Sequence, residues 1–469
     1  MRLTRREFVG GGAAAAALGA AGIYELVDHV TGSPHRAGAA PLLEEQHHLS
    51  NLGVVEDNGI EVVVPPLHNQ LVTARLRVDE RRGPLRKAQA ELREALHGLE
   101  QRYESSPGGL GATIGWGLPY FRRYVPKFAE EHIPLDLRAS KTRGRSTSAV
   151  LDAIRFPSDP HDVVLEQNDV AIFFRSDHLD HIAEGSRALL KDLDLFEVTS
   201  IRKGFAGGGR IGGGKSLPQE MAVAANVPGA DLIPEGAELF LGFTSTQKEA
   251  LGPLRIANLE TLGYTHGGYF SHGTSMHVSH IFEDLEAWYL NFDFTERVTT
   301  MFKPQLYVKE GTQTVRQSRQ DVASQRLVKR DFHRHGAIGH STAIQTSSRL
   351  NHDVVGADGN VYPKGTAIPQ RADFNTLDNP FFWSAQPTLD KHSNDPAAGI
   401  HFVVFNPTSD DFHRNRLAMD GVLPDGTKLA FAPRDRGQGF NSVLKTTHRQ
   451  NFLVPPRSRR AFPLVELLT

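Results

Sequence analysis

The chain has 469 residues, of which 39% are hydrophobic and 23% are charged, the balance of a soluble globular protein. Its net charge of −2 gives no reason to expect nucleic acid or an anionic membrane surface as a partner. Cysteine is absent, which excludes cysteine nucleophiles, thiolate metal ligands and iron–sulfur clusters held by cysteine. Histidine, present 22 times, is the nitrogen-donor side chain that remains for binding a metal.

The first forty residues have the organisation of an export signal. Thr4–Val9 (TRREFV) contains a twin arginine, and an Ala/Gly-rich apolar run continues to Ile23. That run is too short and too weakly hydrophobic for a stable membrane span. Ala37-Gly38-Ala39 has the small-x-small form of a cleavage site. We therefore predict a twin-arginine signal peptide over 1–40 and a periplasmic, cell-surface or extracellular location. The alternative is a chance arginine pair before a buried helix.

Residues 41–58 are predicted to be a polar linker, and the first folded half is predicted over 59–250. Strands are predicted at 60–64, 71–78, 110–117, 169–174 and 196–201, and helices at 86–103 and 179–193. The resulting β-α-β-β-α-β order is typical of a ferredoxin-like unit with an antiparallel sheet.

The second half is predicted over 251–469. Its pattern indicates a strand at 268–277, helices at 282–292 and 295–302, a strand at 399–405 and a helix at 412–418. This half could repeat the topology of the first, although no repeat is visible residue by residue. The last fifty residues, rich in Arg, Pro and Gly, carry no pattern that assigns an element.

A glycine-rich stretch between the halves matches a nucleotide-binding formula. Residues 209–216 (GRIGGGKS) fit the P-loop pattern G-x-x-x-x-G-K-S. Pro218 follows closely, however, and no acidic strand end is evident as the Mg²⁺ partner. So many glycines favour a flexible loop over a nucleotide site.

The histidines are clustered, at 266, 272, 277 and 280 and again at 333, 335 and 340. On a helix, His277 and His280 would share a face with Glu283 and Asp284, and such a set could bind Zn²⁺ or iron. The spacing differs from HExxH-type motifs, so a polar helix start is the favoured interpretation.

Several segments together resemble the dye-decolorizing (DyP-type) haem peroxidases, in the order of that family, from about residue 59 to 420. They are Leu110–Gly117, Asn168–Ile172, Lys203–Phe205, Gly267–Tyr269 with Asp284–Trp288, Gly339–Ser341, and Gly399–Phe402 with Phe412 and Leu417. The resemblance implies an α+β fold of two ferredoxin-like halves with antiparallel sheets, as in the dimeric α+β barrel superfamily, with haem in the second half. It further implies that His340 is the axial ligand of haem b iron. By the same resemblance, Arg371 is the arginine on the distal side of the haem.

One position departs from the family pattern. The family carries G-x-x-D-G, whose Asp moves the protons of peroxide, whereas this chain has Gly242-Phe243-Thr244-Ser245-Thr246, with Ser245 at the place of the acid. A serine hydroxyl cannot act as a base near neutral pH as a carboxylate can.

The resemblance therefore predicts an exported haem protein that reduces H2O2 and oxidises a small organic reductant, with haem binding better supported than full peroxidase chemistry. It is also compatible with a homo-oligomer. The alternatives are a non-catalytic haem-binding, iron-binding or interaction protein on the same fold, and a haem-free metal site at His277 and His280.

Overall fold

The computed structural model describes residues 23, 24, 27, 42–206, 217–263, 267–316, 324–380, 395–430 and 439–469. The strands in these ranges are β1 (Gly53–Asp57), β2 (Ile60–Val64), β3 (His68–Leu76), β4 (Gly111–Gly117), β5 (Val164–Leu165), β6 (Val170–Ser176), β7 (Phe196–Phe205), β8 (Thr274–Glu283), β9 (Val354–Val355), β10 (Val361–Tyr362), β11 (Gln370–Arg371), β12 (Phe374–Thr376), β13 (Gly399–Asn406) and β14 (Leu444–Val454). The α-helices are α1 (Arg82–Arg102), α2 (Leu118–Tyr124), α3 (Pro126–His132), α4 (Leu137–Arg143), α5 (Leu179–Ser186), α6 (Leu217–Ala224), α7 (Leu285–Leu290), α8 (Phe294–Met301), α9 (Gln325–His335), α10 (His340–Ser348) and α11 (Ser409–Met419).

Eight of the described strands close into a ring. The order around it is β3, β6, β4, β14, β8, β13, β12, β7 and back to β3, and every pairing within it is antiparallel. β11 pairs with the same edge of β13 as β12 and in the same register, so it continues β12 along that strand. β5 pairs in parallel with β14.

The two halves of the ring have the same topology. In the first half the strands lie in the order β4-β6-β3-β7, and in the second half in the order β12-β13-β8-β14. Numbered within each half, both orders read 2-3-1-4, which is the arrangement of a ferredoxin-like sheet. The predicted α+β fold with two antiparallel ferredoxin-like halves is confirmed.

The halves meet at two seams. At one, Asn375 of β12 pairs with Phe205 of β7, and a Cβ on the neighbouring Gly204 would lie 2.1 Å from the backbone oxygen of Asn375. Only glycine therefore allows this close approach. At the other seam, Trp116 of β4 pairs with Leu453 of β14.

The outer face of the first half carries a dense apolar core. Helix α1 places Leu85, Ala88, Leu92, Leu96 and Leu99 on one buried side, because these positions recur every three or four residues. They pack in one cluster with outward-facing residues of the sheet, which include Val72 and Ala74 on β3, Ile114 and Trp116 on β4, and Ile172 and Phe174 on β6. A separate cluster fills the inside of the ring with residues from both halves, among them Leu71, Phe173, Met276, Val278, Val403, Phe405 and Phe452.

The second half differs in detail from its sequence prediction. The strand predicted at 268–277 lies at Thr274–Glu283, so it runs into the segment predicted to be a helix, and helix α7 begins only at Leu285. Asp284 explains the boundary, because its carboxylate accepts a hydrogen bond from the Ala287 backbone as the N-cap. The unassigned C-terminal fifty residues supply β14, which joins the two halves.

The segment predicted to be a linker packs against the fold in its described part. Residues 53–57 form β1 in a hairpin with β2, and Glu45, Gln46 and His47 are buried. Gln46 explains this burial, because its side chain donates to the Pro455 carbonyl at 2.6 Å and accepts from the Ile114 backbone at 2.9 Å.

Parts of the predicted leader are also in contact with the fold. Tyr24 and Val27 are buried, and the Tyr24 hydroxyl donates to Asp378 at 2.9 Å. The twin arginine, the cleavage motif, the glycine-rich 209–216 stretch and His266 lie outside the described residues. Among the helices that the structure describes, none combines the length and apolar character needed to cross a membrane.

Candidate functional site

A cavity of about 200 Å³ lies on the outer face of the second half. Its floor is the sheet, where alternate residues of the strands point outward: Ser279, Ile281 and Glu283 from β8, and Ile400, Phe402 and Val404 from β13. Helices α10 and α11 and the loop 239–250 form the other walls. The cavity therefore takes the place that an apolar core occupies on the first half.

His340 is the first residue of α10 and lines this cavity. Gly339 precedes the helix and packs against Phe302. Glycine is required there because a Cβ would lie 2.2 Å from the Phe302 backbone oxygen. Phe440 supports the ring, with the two ring centroids 4.4 Å apart. Burial, together with the charges of Arg371 and Arg416, lowers the pKa of His340 to about 3, so its imidazole is neutral at ordinary pH. A neutral imidazole is the form that binds a metal.

Arg371 ends β11 and also lines the cavity. Its guanidinium donates a hydrogen bond to the backbone oxygen of Ser245, which brings these two predicted site residues into direct contact. Ser245 itself lines the same cavity from the 239–250 loop. The three residues named from sequence, His340, Arg371 and Ser245, are therefore brought together around one cavity.

Two buried carboxyl groups lie in the same wall: Asp373, which the sequence interpretation missed, and Glu283, which it placed in a possible metal site instead. Asp373 follows Arg371 by two positions, and its Oδ2 accepts a hydrogen bond from the Ser245 hydroxyl at 3.4 Å. Glu283 ends β8 and is only 3% exposed. Burial, with the charge of Asp373, raises the pKa of Glu283 to about 8, and burial also raises the pKa of Asp373 against the opposing effect of Arg371. The i, i+2 spacing of Arg371 and Asp373 was the signal available in the sequence, because it places both on one side of an extended segment.

Two of the remaining cations of the wall are ion-paired. Arg449 of β14 lies 2.6 Å from Asp159, and Arg416 of α11 lies 2.8 Å from Asp420. Arg449 is 1% exposed, and both guanidinium groups stack on the ring of Phe156. Since each charge is compensated, this corner of the cavity is a rigid structural network.

The proposed metal pair His277 and His280 is not formed. The two residues lie on strand β8, not on a helix, and a spacing of three on a strand puts them on opposite faces of the sheet. His277 is hydrogen-bonded to Asn451 at 2.7 Å and to Ser279 at 2.5 Å, whereas His280 points into the ring beside His401, with ring centroids 4.2 Å apart. In the described ranges no three His, Asp or Glu side chains are grouped as a metal site requires.

The comparisons with known proteins agree with this architecture. Residues 66–456, most of the chain, match the model described as "Family of unknown function (DUF7405)". The DyP-type peroxidase from Cellulomonas bogoriensis aligns with a TM-score of 0.50 at 16% identity, covering 90% of this chain and 95% of that chain. No curated protein matches the sequence.

Two structures of the Rhodococcus jostii RHA1 protein are similar at lower scores. DyPB aligns with a TM-score of 0.48 at 12% identity over 85% of this chain and 95% of that chain. A variant of it in complex with heme aligns with a TM-score of 0.47 at 12% identity over 85% and 96%. From the family match and the Cellulomonas bogoriensis structure, the chain belongs to this family of unknown function and has the fold of the DyP-type peroxidases.

Proposed function

We propose that the chain is a haem-binding protein that reduces H2O2 at the expense of a small organic reductant. The observation that supports this most directly is the convergence of His340, Arg371 and Ser245 on one cavity. These residues come from separate stretches of the sequence, and the fold brings them together.

The side chains around the cavity fit a haem. The Nδ1 of His340 and the Nε of Arg371 are buried and have no hydrogen-bond partner within the described part of the chain. Apolar groups such as Ile344, Phe402 and Val404 cover much of the remaining wall, as a porphyrin requires. His340 would hold the iron, which when bound supplies the redox chemistry that carries electrons from the reductant to peroxide.

The positive charge of Arg371 would stabilise the negative charge that develops on peroxide. Breaking the O–O bond of peroxide builds negative charge on the departing oxygen, and a guanidinium in a cavity of low polarity stabilises such charge. Its hydrogen bond to the backbone of Ser245 holds the group in place beforehand. The apolar wall excludes water, which strengthens the interaction.

A second function is favoured by one observation, the hydroxyl of Ser245 at the place of an acid. If no group in the cavity moves the protons of peroxide, the protein would bind haem or iron without turning over peroxide. This is the non-catalytic alternative on the same fold.

The visible spectrum of the purified protein titrated with haem separates these functions. We expect a Soret band with the ligand signature of histidine, followed by peroxide-dependent oxidation of a dye. A Soret band without dye oxidation would identify the non-catalytic protein, and the absence of a Soret band would refute haem binding in either function.

We also propose that the protein is exported by the twin-arginine pathway. Arg5 and Arg6 precede the apolar run as in twin-arginine signals, a route that carries proteins already folded. Changing both to Lys should leave the protein in the cytoplasm, whereas Arg2→Lys, outside the pair, should not. Cell fractionation measures this, and normal export of the double variant would contradict it.

A further inference from the structure

We propose that Asp373 is the catalytic acid–base of this cavity, in place of the carboxylate that is missing at Ser245. The inference rests on the proposed function, because it assigns the proton transfers of the same peroxide reaction.

Asp373 lies in the wall of the cavity, between β11 and β12. The backbone of the preceding residue, Ala372, donates a hydrogen bond to Val403 at 2.8 Å and so anchors the segment to β13. Arg371 and Asp373 both line the cavity. A carboxylate two residues from the arginine can therefore act on the peroxide that the guanidinium faces.

The two oxygens of the Asp373 carboxylate have different surroundings. Its Oδ2 is 3.4 Å from the hydroxyl of Ser245, so the carboxylate lies beside the residue that occupies the place of the acid. Its Oδ1 is buried and accepts no hydrogen bond from the residues that the structure describes. A buried oxygen of this kind normally has a donor, and peroxide in the cavity would provide one.

The surroundings also suit a group that takes up and returns a proton. Asp373 is 8% exposed, and its burial raises its pKa above the ordinary value of an aspartate, which favours uptake of a proton. Arg371, on the same segment, and the hydrogen bond from Ser245 oppose that increase, and the charge of Asp373 in turn raises the pKa of Glu283 on β8. The other ionisable groups of the cavity wall are His340, Arg349, Arg416, Arg449 and Asp159.

In the proposed step, Asp373 as carboxylate removes the proton from one oxygen of H2O2. As carboxylic acid it returns that proton to the other oxygen, which leaves as water when the O–O bond breaks. The oxygen that remains takes up two electrons and two protons from the organic reductant and becomes the second water.

The test compares Asp373→Asn with the unmodified protein, both loaded with haem. Asparagine has the same shape but cannot take up the proton, so the rate of reaction with H2O2 in stopped-flow mixing should fall by about 10²–10⁴-fold. Asp169→Asn is the matched control, because Asp169 is also a buried aspartate with a raised pKa but lies on the first half. The Asp169→Asn variant should react with H2O2 at the rate of the unmodified protein. The double variant Ser245→Asp with Asp373→Asn should react with H2O2 at least about tenfold faster than Asp373→Asn alone, because it returns a carboxylate to the cavity.

Binding of cyanide provides a readout that does not depend on turnover. Hydrogen cyanide must also give up its proton in the cavity, so the pH dependence of its binding rate reports the proton acceptor. Asp373→Glu, which keeps the carboxyl group, should shift the midpoint of that dependence, and Asp373→Asn should abolish it. If Asp373→Asn does not fold, the glutamate variant decides the question.

The outcomes separate this inference from the proposed function. Absence of a Soret band in the unmodified protein would refute the haem function and this inference with it. A Soret band with Asp373→Asn reacting within about threefold of the unmodified protein would refute only the role of Asp373. A haem-loaded protein inert to peroxide at every pH would refute it equally.

Discussion

On the outer face of β6, Val170, Ile172 and Phe174 pack beneath α1 and α5 in a continuous apolar core. On the corresponding strand of the second half, β13, Ile400 and Phe402 face a cavity instead. The two strands hold the same place in the same 2-3-1-4 order. One ferredoxin-like frame therefore supports a filled core in one half and a lined cavity in the other.

The helices that cover each sheet account for the difference. Helix α1 has 21 residues and a buried side of leucine and alanine that fills the space above the first half. Helix α10 has nine residues, and the side chains that it directs at the cavity include Ser341, Gln345 and Ser348 beside His340. These polar side chains do not fill the space as the leucines of α1 do, so a cavity remains above this part of the second sheet.

The largest expected effect tests the assignment of haem to the second half. His340→Ala removes the imidazole from the cavity, and haem affinity should fall by at least about 100-fold, since loss of a direct ligand should cost at least as much as loss of its supporting contacts. His47→Ala is the matched control, because burial lowers the pKa of His47 to about 3 as well, but that residue lies outside the cavity. Titration with haem, followed in the visible spectrum, measures both. Equal affinities in the two variants would contradict the assignment.

The next effect compares the packing of the two halves directly. Ile172→Ala opens a hole in the apolar core of the first half and should lower the free energy of unfolding by about 2–5 kcal/mol. Phe402→Ala removes a larger side chain that already faces the cavity, and the loss should stay below about 2 kcal/mol. Urea unfolding measures both values. A larger loss for Phe402→Ala would show that the second half is packed as tightly as the first.

A third prediction concerns the carboxyl group of Glu283. Its pKa of about 8 lies above the ordinary value of 4.5, so the folded state binds a proton that the unfolded state releases between these values. Stability should therefore fall as the pH rises from about 5 to 8, and Glu283→Gln should remove that fall. Relative to the unmodified protein, the variant should gain roughly 2–4 kcal/mol at pH 9 compared with pH 5. Urea unfolding at both values measures the change.

The control for this prediction is an exposed glutamate. Glu61 lies at the surface with its ion-pair partner Lys248 at 2.9 Å, so Glu61→Gln should change the pH dependence little. A pH dependence that survives in Glu283→Gln would place the responsible group elsewhere, with Asp373 the next carboxyl to substitute.

The sequence predicted the first half well because its signals are local. The apolar positions of α1 repeat with the period of a helix, and β4 and β6 are short β-rich runs between turns. In the second half the same reasoning misplaced β8, because His277, Ser279 and His280 make the segment polar although both of its faces are buried. Strand β14 carried no recognisable pattern, because both of its faces are buried and its polar residues are satisfied by distant partners such as Asn168 and Asp159.

The sequence by itself determined the fold class, and its resemblance to the DyP-type peroxidases named His340, Arg371 and Ser245 as candidate site residues, each within a short segment. Tertiary structure decided what surrounds them. Asp373 and Glu283 meet in one wall only because β8 and the β11–β12 segment both pair with β13, positions far apart in the chain. Burial, which sets the pKa of each of these carboxyl groups, is a property of the folded sheet and its covering helices, and no local pattern of residues encodes it.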